Sequence, residues 1–241
     1  MPSFRALLTL SKPCSSLAFR VYHCSLNFDA SKFRFLSSVA KMTGSSVQNG
    51  SGECNEVKTK FEKLPKNVRP TLYDITLKPD LKTFKFQGSE AIHIDIVEAT
   101  SKLKFNSSEI DISSAKLTVG TEVLEKLAVN VDEKGETAEV TLPRELGPGT
   151  KATLNLQFSG TLNDRMKGFY RSTYKDANGQ EQHVAATQFE STYARLAFPC
   201  WDEPVFKAVF DVTLQCPEEL TALSNQRQRF FNLDKFAGGG V

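Results

Sequence analysis

The side chains best suited to chemistry lie in residues 188–204, which read QFESTYARLAFPCWDEP. An amide, Gln188, and a carboxylate, Glu190, stand two positions apart with Phe189 between them. Residues two apart in a strand share a face, so these two polar groups would lie side by side. Such a pair suits the recognition of a cationic, hydrogen-bonding group such as an α-ammonium. The alternative, which the local pattern alone favours, is an ordinary pair of polar residues on the solvent-facing side of a strand.

Cysteines and histidines form no metal-binding pattern in this sequence. The cysteines are odd in number and lack metal-ligand spacing, which indicates free thiols in a reducing compartment; they are Cys14, Cys24, Cys54, Cys200 and Cys216. The three histidines are far apart and no HExxH motif occurs, so we expect no metal and no cofactor in this chain. His93 is interpreted as a surface strand residue rather than a ligand.

Composition excludes two further classes of function. The net charge is +2 and no basic block is sustained, so nucleic acid is not an expected partner. No apolar run approaches the roughly 18 residues that a membrane helix needs. The length of 241 residues fits one or two domains.

The elements that must position these side chains are short strands. Alternating or β-branched segments separated by turn residues predict strands at 71–78, 89–97, 103–106, 110–119, 123–131, 136–142, 151–160, 168–174, 182–190 and 206–215. Strong turn signals fall at 146–149 (LGPG) and 176–179 (DANG). Because no long amphipathic helix is evident, the pattern predicts an all-β, multi-stranded antiparallel sandwich or barrel.

The two ends differ in character from this body. Residues 1–41 contain six basic residues and the single acid Asp29, which is typical of an organellar transit peptide. The equally weighted alternative is an untranslated or disordered leader, with Met42 as the true start. With the Gly/Ser/Asn-rich linker at 43–57, residues 1–60 are predicted to be disordered. Residues 226–241 lack alternation and are predicted to be a divergent tail, reached by truncation or an alternative reading frame.

Four segments resemble the puromycin-sensitive aminopeptidase family of one-zinc, HExxH-type aminopeptidases. They are LPKNVRPTLYDITLKPDL (64–81), LNDRMKGFYRSTY (162–174), TQFESTYARLAFPCWDEPVFKAVFDVTL (187–214) and TALSN (221–225). The resemblance covers 61–225 and implies the family's amino-terminal β domain, a saddle-shaped, sandwich-like unit that precedes the catalytic domain.

The resemblance also implies roles for individual residues. Glu190 matches the carboxylate that binds the substrate's α-amine, together with a second Glu from the catalytic domain. Gln188 matches a residue that lines the pocket for the first side chain. A structural role in seating this strand against the catalytic domain is implied for Trp201, Asp202, Glu203 and Pro204, and the loop 166–171 is also expected to be structural.

Two departures from the family limit what the resemblance implies. Tyr193, Ala194, Arg195 and Leu196 stand where the family usually has Asp-Ala-Arg-Arg, which removes an expected ion pair near Glu190. The Gly-Ala-Met-Glu-Asn and HExxH motifs are absent from the sequence, so the family's zinc would belong to the full-length enzyme. The chain is therefore predicted to be inactive alone.

The resulting hypothesis is the substrate-anchoring domain of a zinc metalloaminopeptidase, here a truncated form. Its expected partners are a peptide N-terminus and the catalytic domain of the full-length protein. The alternative is a non-catalytic binding module that pairs with a full-length homologue or another partner. The expected location is cytoplasmic, or mitochondrial or plastid if residues 1–41 act as a transit peptide.

Overall fold

The computed structural model describes residues 6–10, 17–21, 62–217, 220–226 and 228–231, with side chains described for 62–217 and 220–226. These residues form strands and one short 3₁₀ helix, Ala194–Leu196. The strands are β1 (Ala6–Leu10), β2 (Leu17–Val21), β3 (Val68–Asp80), β4 (Lys85–Ile96), β5 (Thr100–Asn106), β6 (Ile110–Val119), β7 (Glu122–Leu124), β8 (Val129–Asp132), β9 (Thr137–Leu146), β10 (Lys151–Thr161), β11 (Gly168–Lys175), β12 (Glu181–Gln188), β13 (Val209–Leu214), β14 (Leu220–Ser224) and β15 (Gln228–Phe231).

The described strands form three sheets. The largest has eight strands in the order β15-β2-β13-β3-β4-β10-β6-β7. A four-stranded sheet runs β11-β12-β1-β14, and a three-stranded sheet runs β5-β9-β8. Neighbours pair antiparallel, apart from the parallel pairing of β13 with β3. This architecture confirms the predicted all-β, antiparallel fold class.

Strict alternation places the core on one face of the largest sheet. Ile92, Ile94 and Ile96 of β4 are all buried. On the neighbouring strand β10, Leu154 lies opposite Ile92 and is also buried. The period-two pattern therefore identified the inward face correctly, and exposed His93 lies on the other face as predicted.

Several boundaries differ from the predicted ones. The predicted strand at 123–131 is two strands, β7 and β8, which belong to different sheets. Lys126 lies between them with a positive φ of 55°, a conformation that interrupts an extended strand. β14 was not predicted, because it follows Pro217 and is only five residues long.

The predicted leader and tail lie largely outside the described residues. The described parts are β1 and β2 within residues 1–60, and β15 within residues 226–241. β1 pairs with β12 and β14, whereas β2 pairs with β13 and β15. The leader and its targeting role stay predictions.

Two glycines make room for aromatic rings across the β4–β10 pair. Gly160 lies opposite Phe86, and Gly88 lies opposite Phe158. A Cβ added at Gly160 would lie 2.4 Å from Phe86 Cζ, and one at Gly88 would lie 2.3 Å from Phe158 Cζ. Both rings are buried, so neither can move aside freely.

We therefore expect Gly160→Ala to lower the free energy of unfolding by about 1–3 kcal/mol, the usual cost of overpacking a core. Urea denaturation followed by circular dichroism measures this loss. Gly147→Ala is the matched control, because an added Cβ at Gly147 meets nothing within 4 Å. Equal losses in both variants would show that the Phe86 contact is not the cause.

Candidate functional site

Gln188 and Glu190 lie at the end of a strand rather than within one. β12 ends at Gln188, and residues 190–193 form a turn, so the predicted shared strand face is not formed. The two residues still lie together, because Gln188 Nε2 donates a hydrogen bond to the main-chain oxygen of Glu190 at 3.4 Å. Gln188 is half-buried and Glu190 is exposed.

A buried ring fixes the start of this turn. Phe189 is buried, and its ring meets Phe198 edge to face with centroids 5.7 Å apart. The main-chain N–H of Tyr193 closes the turn on the oxygen of Phe189 at 2.9 Å. The Glu190 carboxylate makes no hydrogen bond or ion pair with the described side chains, and the residue is exposed.

One side of the turn is covered by the strand β11 and the loop before it. Gly168 lies opposite Gln188 in the β11–β12 pair, with a φ of 67° that favours glycine. A Cβ at Gly168 would lie 2.5 Å from Leu196 Cβ, so only glycine allows this approach. The Lys167 ammonium lies 4.8 Å from the centre of the Tyr193 ring, within the range of a cation–π contact.

Arg195 is a buried cation that ties the turn to two acids. Its Nε donates to Asp202 Oδ2 at 3.0 Å, and its Nη1 donates to Glu136 Oε2 at 3.1 Å. A third bond runs from Nη2 to the main-chain oxygen of Asp202 at 3.3 Å. Burial raises the pKa of Asp202, and the Arg195 guanidinium opposes that shift. These bonds hold the 3₁₀ helix against the residues around Asp202.

The residues around Trp201 are fastened to the core at three points. The main chains of Cys200 and Asn106 exchange hydrogen bonds of 2.8 and 3.0 Å. The Asn106 side-chain oxygen accepts from the N–H of Asp202 at 3.1 Å. The N–H of Trp201 donates to the Tyr73 hydroxyl at 3.1 Å. Trp201 itself is buried, with its ring 5.5 Å from that of Phe105.

Glu203 and Pro204 continue this loop toward the surface. Glu203 Oε1 accepts a hydrogen bond from the N–H of Leu64 at 2.7 Å, which ties the loop to the segment before β3. Pro204 is exposed. In this chain Asp202 contacts Arg195, whereas Trp201 and Glu203 tie the loop to Tyr73, Phe105 and Leu64. Their seating against a catalytic domain stays a prediction.

Three residues that complete this arrangement were not identified from the sequence. Glu136, Asn106 and Tyr73 come from separate parts of the sequence, and their partners are up to 128 positions away. A fourth residue, Glu90, is buried at an inward position of β4. The alternation of β4 was the one available signal, because Glu90 shares its face with the buried isoleucines.

The described residues do not fit a metal ion. Within the described ranges, no three His, Cys, Asp or Glu side chains lie close enough together to hold one. No helix among the same residues is long and apolar enough to cross a membrane.

Comparisons with a protein family and with individual proteins both find similarity to aminopeptidases. The sequence pattern of the Peptidase M1 N-terminal domain matches residues 69–232. Puromycin-sensitive aminopeptidase from Caenorhabditis elegans is 48% identical over 167 residues, which cover 69% of this chain and 18% of that protein. Alanine/arginine aminopeptidase from Saccharomyces cerevisiae is 43% identical, over 70% of this chain and 20% of that protein.

Aminopeptidase M1 from Arabidopsis thaliana is 41% identical, over 68% of this chain and 19% of that protein. The chain thus spans about a fifth of the length of the curated relatives that it matches. The matched range extends to residue 232, whereas the resemblance seen in the sequence ends at residue 225.

Proposed function

Because the chain belongs to the Peptidase M1 N-terminal domain family, we propose that it anchors the free α-amine of a peptide for a zinc aminopeptidase. The observation that carries this proposal is Glu190, an exposed carboxylate without a partner among the described side chains, on a turn fixed by buried contacts. Gln188 beside it would line the pocket for the first side chain.

The chemistry of such an anchor follows from charge. A carboxylate and an ammonium form charge-assisted hydrogen bonds that are stronger than neutral ones. An internal peptide segment has no ammonium and would leave the carboxylate unpaired in the closed complex. Glu190 would therefore select for a free N-terminus and against internal sites, which is exopeptidase behaviour.

The remaining wall of the site and the zinc would come from the catalytic domain of a full-length protein. Zinc would supply the activated water for peptide hydrolysis there. The described residues of this chain hold no fitting ligand cluster, so their contribution is binding and orientation alone. Cytoplasmic location of the whole protein stays a prediction.

A first test measures recognition of the free amine. In ¹H–¹⁵N NMR titrations, a dipeptide amide is expected to shift the resonances of residues 188–193, whereas its N-acetylated form is not. Glu190→Gln should weaken the binding about tenfold or more, since a hydrogen bond to a charged group contributes about 1.5–3 kcal/mol.

The matched control is Glu98→Gln, because Glu98 is also an exposed acid and lies just after β4. It should leave the titration unchanged. Equal shifts from the free and the acetylated dipeptide amide would overturn the proposed role of Glu190.

A second prediction concerns turnover by the chain itself. The purified chain supplied with Zn²⁺ should release no fluorophore from aminoacyl-coumarin substrates above the rate without protein, because the nucleophile needs a bound metal. Release that a chelator abolishes would contradict the assignment of this chain to binding alone.

A further inference from the structure

Glu90 is a carboxylic acid in an apolar row of the core. It belongs to β4, where it shares the inward face with buried Phe86 and Ile92. Its side chain is 4% exposed. Across the sheet it lies opposite Ile75 of β3 and Leu156 of β10, both buried and both apolar.

The carboxyl group has no compensating partner. Neither of its oxygens accepts a hydrogen bond from the described residues, although both are buried. Two buried titratable groups interact with it electrostatically, Tyr73 of β3 and Cys200, the residue before Trp201. Burial raises the pKa of each, and the Glu90 carboxyl raises both further.

The charged groups beyond these two are Asp202, which raises the pKa of Cys200, and Arg195, which lowers it. Glu136 in turn raises the pKa of Asp202. On β10 the residue across from Glu90 is the apolar Leu156. No described cation forms an ion pair with the buried acid, and Arg195 is already engaged by Asp202 and Glu136.

Ionisation of this acid in the closed fold is therefore unfavourable. Burial raises the pKa of Glu90 well above its ordinary value, so the folded chain keeps the carboxyl neutral. A conformation that exposes Glu90 to water restores the ordinary pKa and releases the proton. Between the two pKa values, each unit of rising pH favours the open conformation about tenfold.

We propose that Glu90 links the opening of the loop 200–204 to the loss of a proton. At acidic pH the neutral carboxyl stays buried, and the N–H of Trp201 keeps its hydrogen bond to the Tyr73 hydroxyl. As the pH rises, lifting the loop is favoured because it admits water to Glu90. This inference goes beyond amine anchoring and does not depend on it.

The direction of the pH dependence follows from the direction in which the pKa of Glu90 is shifted. The folded pKa is raised, so the stabilising effect of the neutral acid is complete below the ordinary pKa of a glutamate. That stabilisation is then lost as the pH rises through the folded pKa. Replacing Glu90 by a neutral residue should remove this dependence of loop opening on pH.

Alkylation of Cys200 by iodoacetamide measures the opening, because this thiol is buried in the loop. Peptide mass spectrometry follows Cys200 and Cys216 in the same sample, from pH 6 to 9. At each pH the rate in the unmodified chain is divided by the rate in Glu90→Leu, which cancels the intrinsic reactivity of the thiolate. For Cys200 this ratio should rise by up to about tenfold per pH unit.

Cys216 is the internal reference, since it is half-buried and follows β13 outside the loop. Its ratio should stay flat. Glu90→Gln is a second neutral variant in case Glu90→Leu does not fold, and Glu98→Gln is the exposed-acid control. A Cys200 ratio that does not change with pH overturns the proposal. So does a parallel rise at Cys200 and Cys216, because that indicates global unfolding.

Discussion

Arg195→Met is expected to lower the free energy of unfolding by about 3–5 kcal/mol, the cost of leaving a buried charge without its partner. Methionine retains much of the apolar volume but none of the three side-chain hydrogen bonds. Asp202, which is 5% exposed, would then have no cation beside it. Urea denaturation at neutral pH measures the loss, and it should shrink at acidic pH as Asp202 becomes protonated.

Arg144→Met is the matched control for this prediction. Arg144 pairs with Glu122, but both side chains are 49% exposed, so the variant should lose at most about 1 kcal/mol. A double variant, Arg195→Met with Asp202→Leu, should recover part of the loss because the one acid still unpaired, Glu136, is 48% exposed. If the double variant loses the sum of the two single losses, the unpaired charge is not the cause.

The strands could be predicted from sequence because their signal is local. Alternation within 110–119 and 151–160 gave the positions of β6 and β10 almost to the residue. The same signal failed at 123–131, where the chain changes sheets within a few residues. The choice of sheet depends on pairing with distant strands, which periodicity does not encode.

The candidate site was only partly predictable for the same reason. The sequence predicted that Gln188 and Glu190 lie together, but the geometry of the pair depends on where β12 ends and on the turn that follows. That turn is held by Arg195, whose partner Glu136 is 59 positions away. Such a long-range ion pair leaves no periodic trace in the sequence.

At Tyr193 and Leu196, which depart from the family pattern, other contacts stand in place of the expected ion pair. Sequence reasoning expected the loss of an ion pair next to Glu190. In the structure the Tyr193 ring receives the Lys167 ammonium, and Leu196 packs against Gly168. Arg195 retains two acidic partners. Apolar and cation–π contacts thus occupy the positions where charges were expected.

For Glu90, in contrast, the alternation of β4 already indicated a buried position, but the prediction did not use it. Its position follows from the period that identified the buried isoleucines of β4. An acid at an inward position conflicts with the apolar pattern around it, and such conflicts deserve a functional explanation. The proton-linked opening of the loop 200–204 is the explanation that the surrounding groups support.

Trp201→Ala is expected to destabilise the fold by about 3–5 kcal/mol, the usual cost of truncating a buried aromatic residue. The indole is 4% exposed and packs against Phe105 of β5. Truncation leaves a cavity between the loop and the three-stranded sheet, because the hydrogen bonds of Cys200 and Asp202 to Asn106 hold the backbone in place. Thermal unfolding followed by circular dichroism measures the effect.

Two further variants separate packing from a general effect of changing the loop. Trp201→Phe retains an aromatic ring and should lose less than Trp201→Ala. Val205→Ala changes the residue directly after this loop, which is 54% exposed, so its effect should stay within about 0.5 kcal/mol. If Trp201→Ala were as mild as Val205→Ala, the indole would not support the turn that carries Glu190. Its place would then have to be explained by contact with another domain.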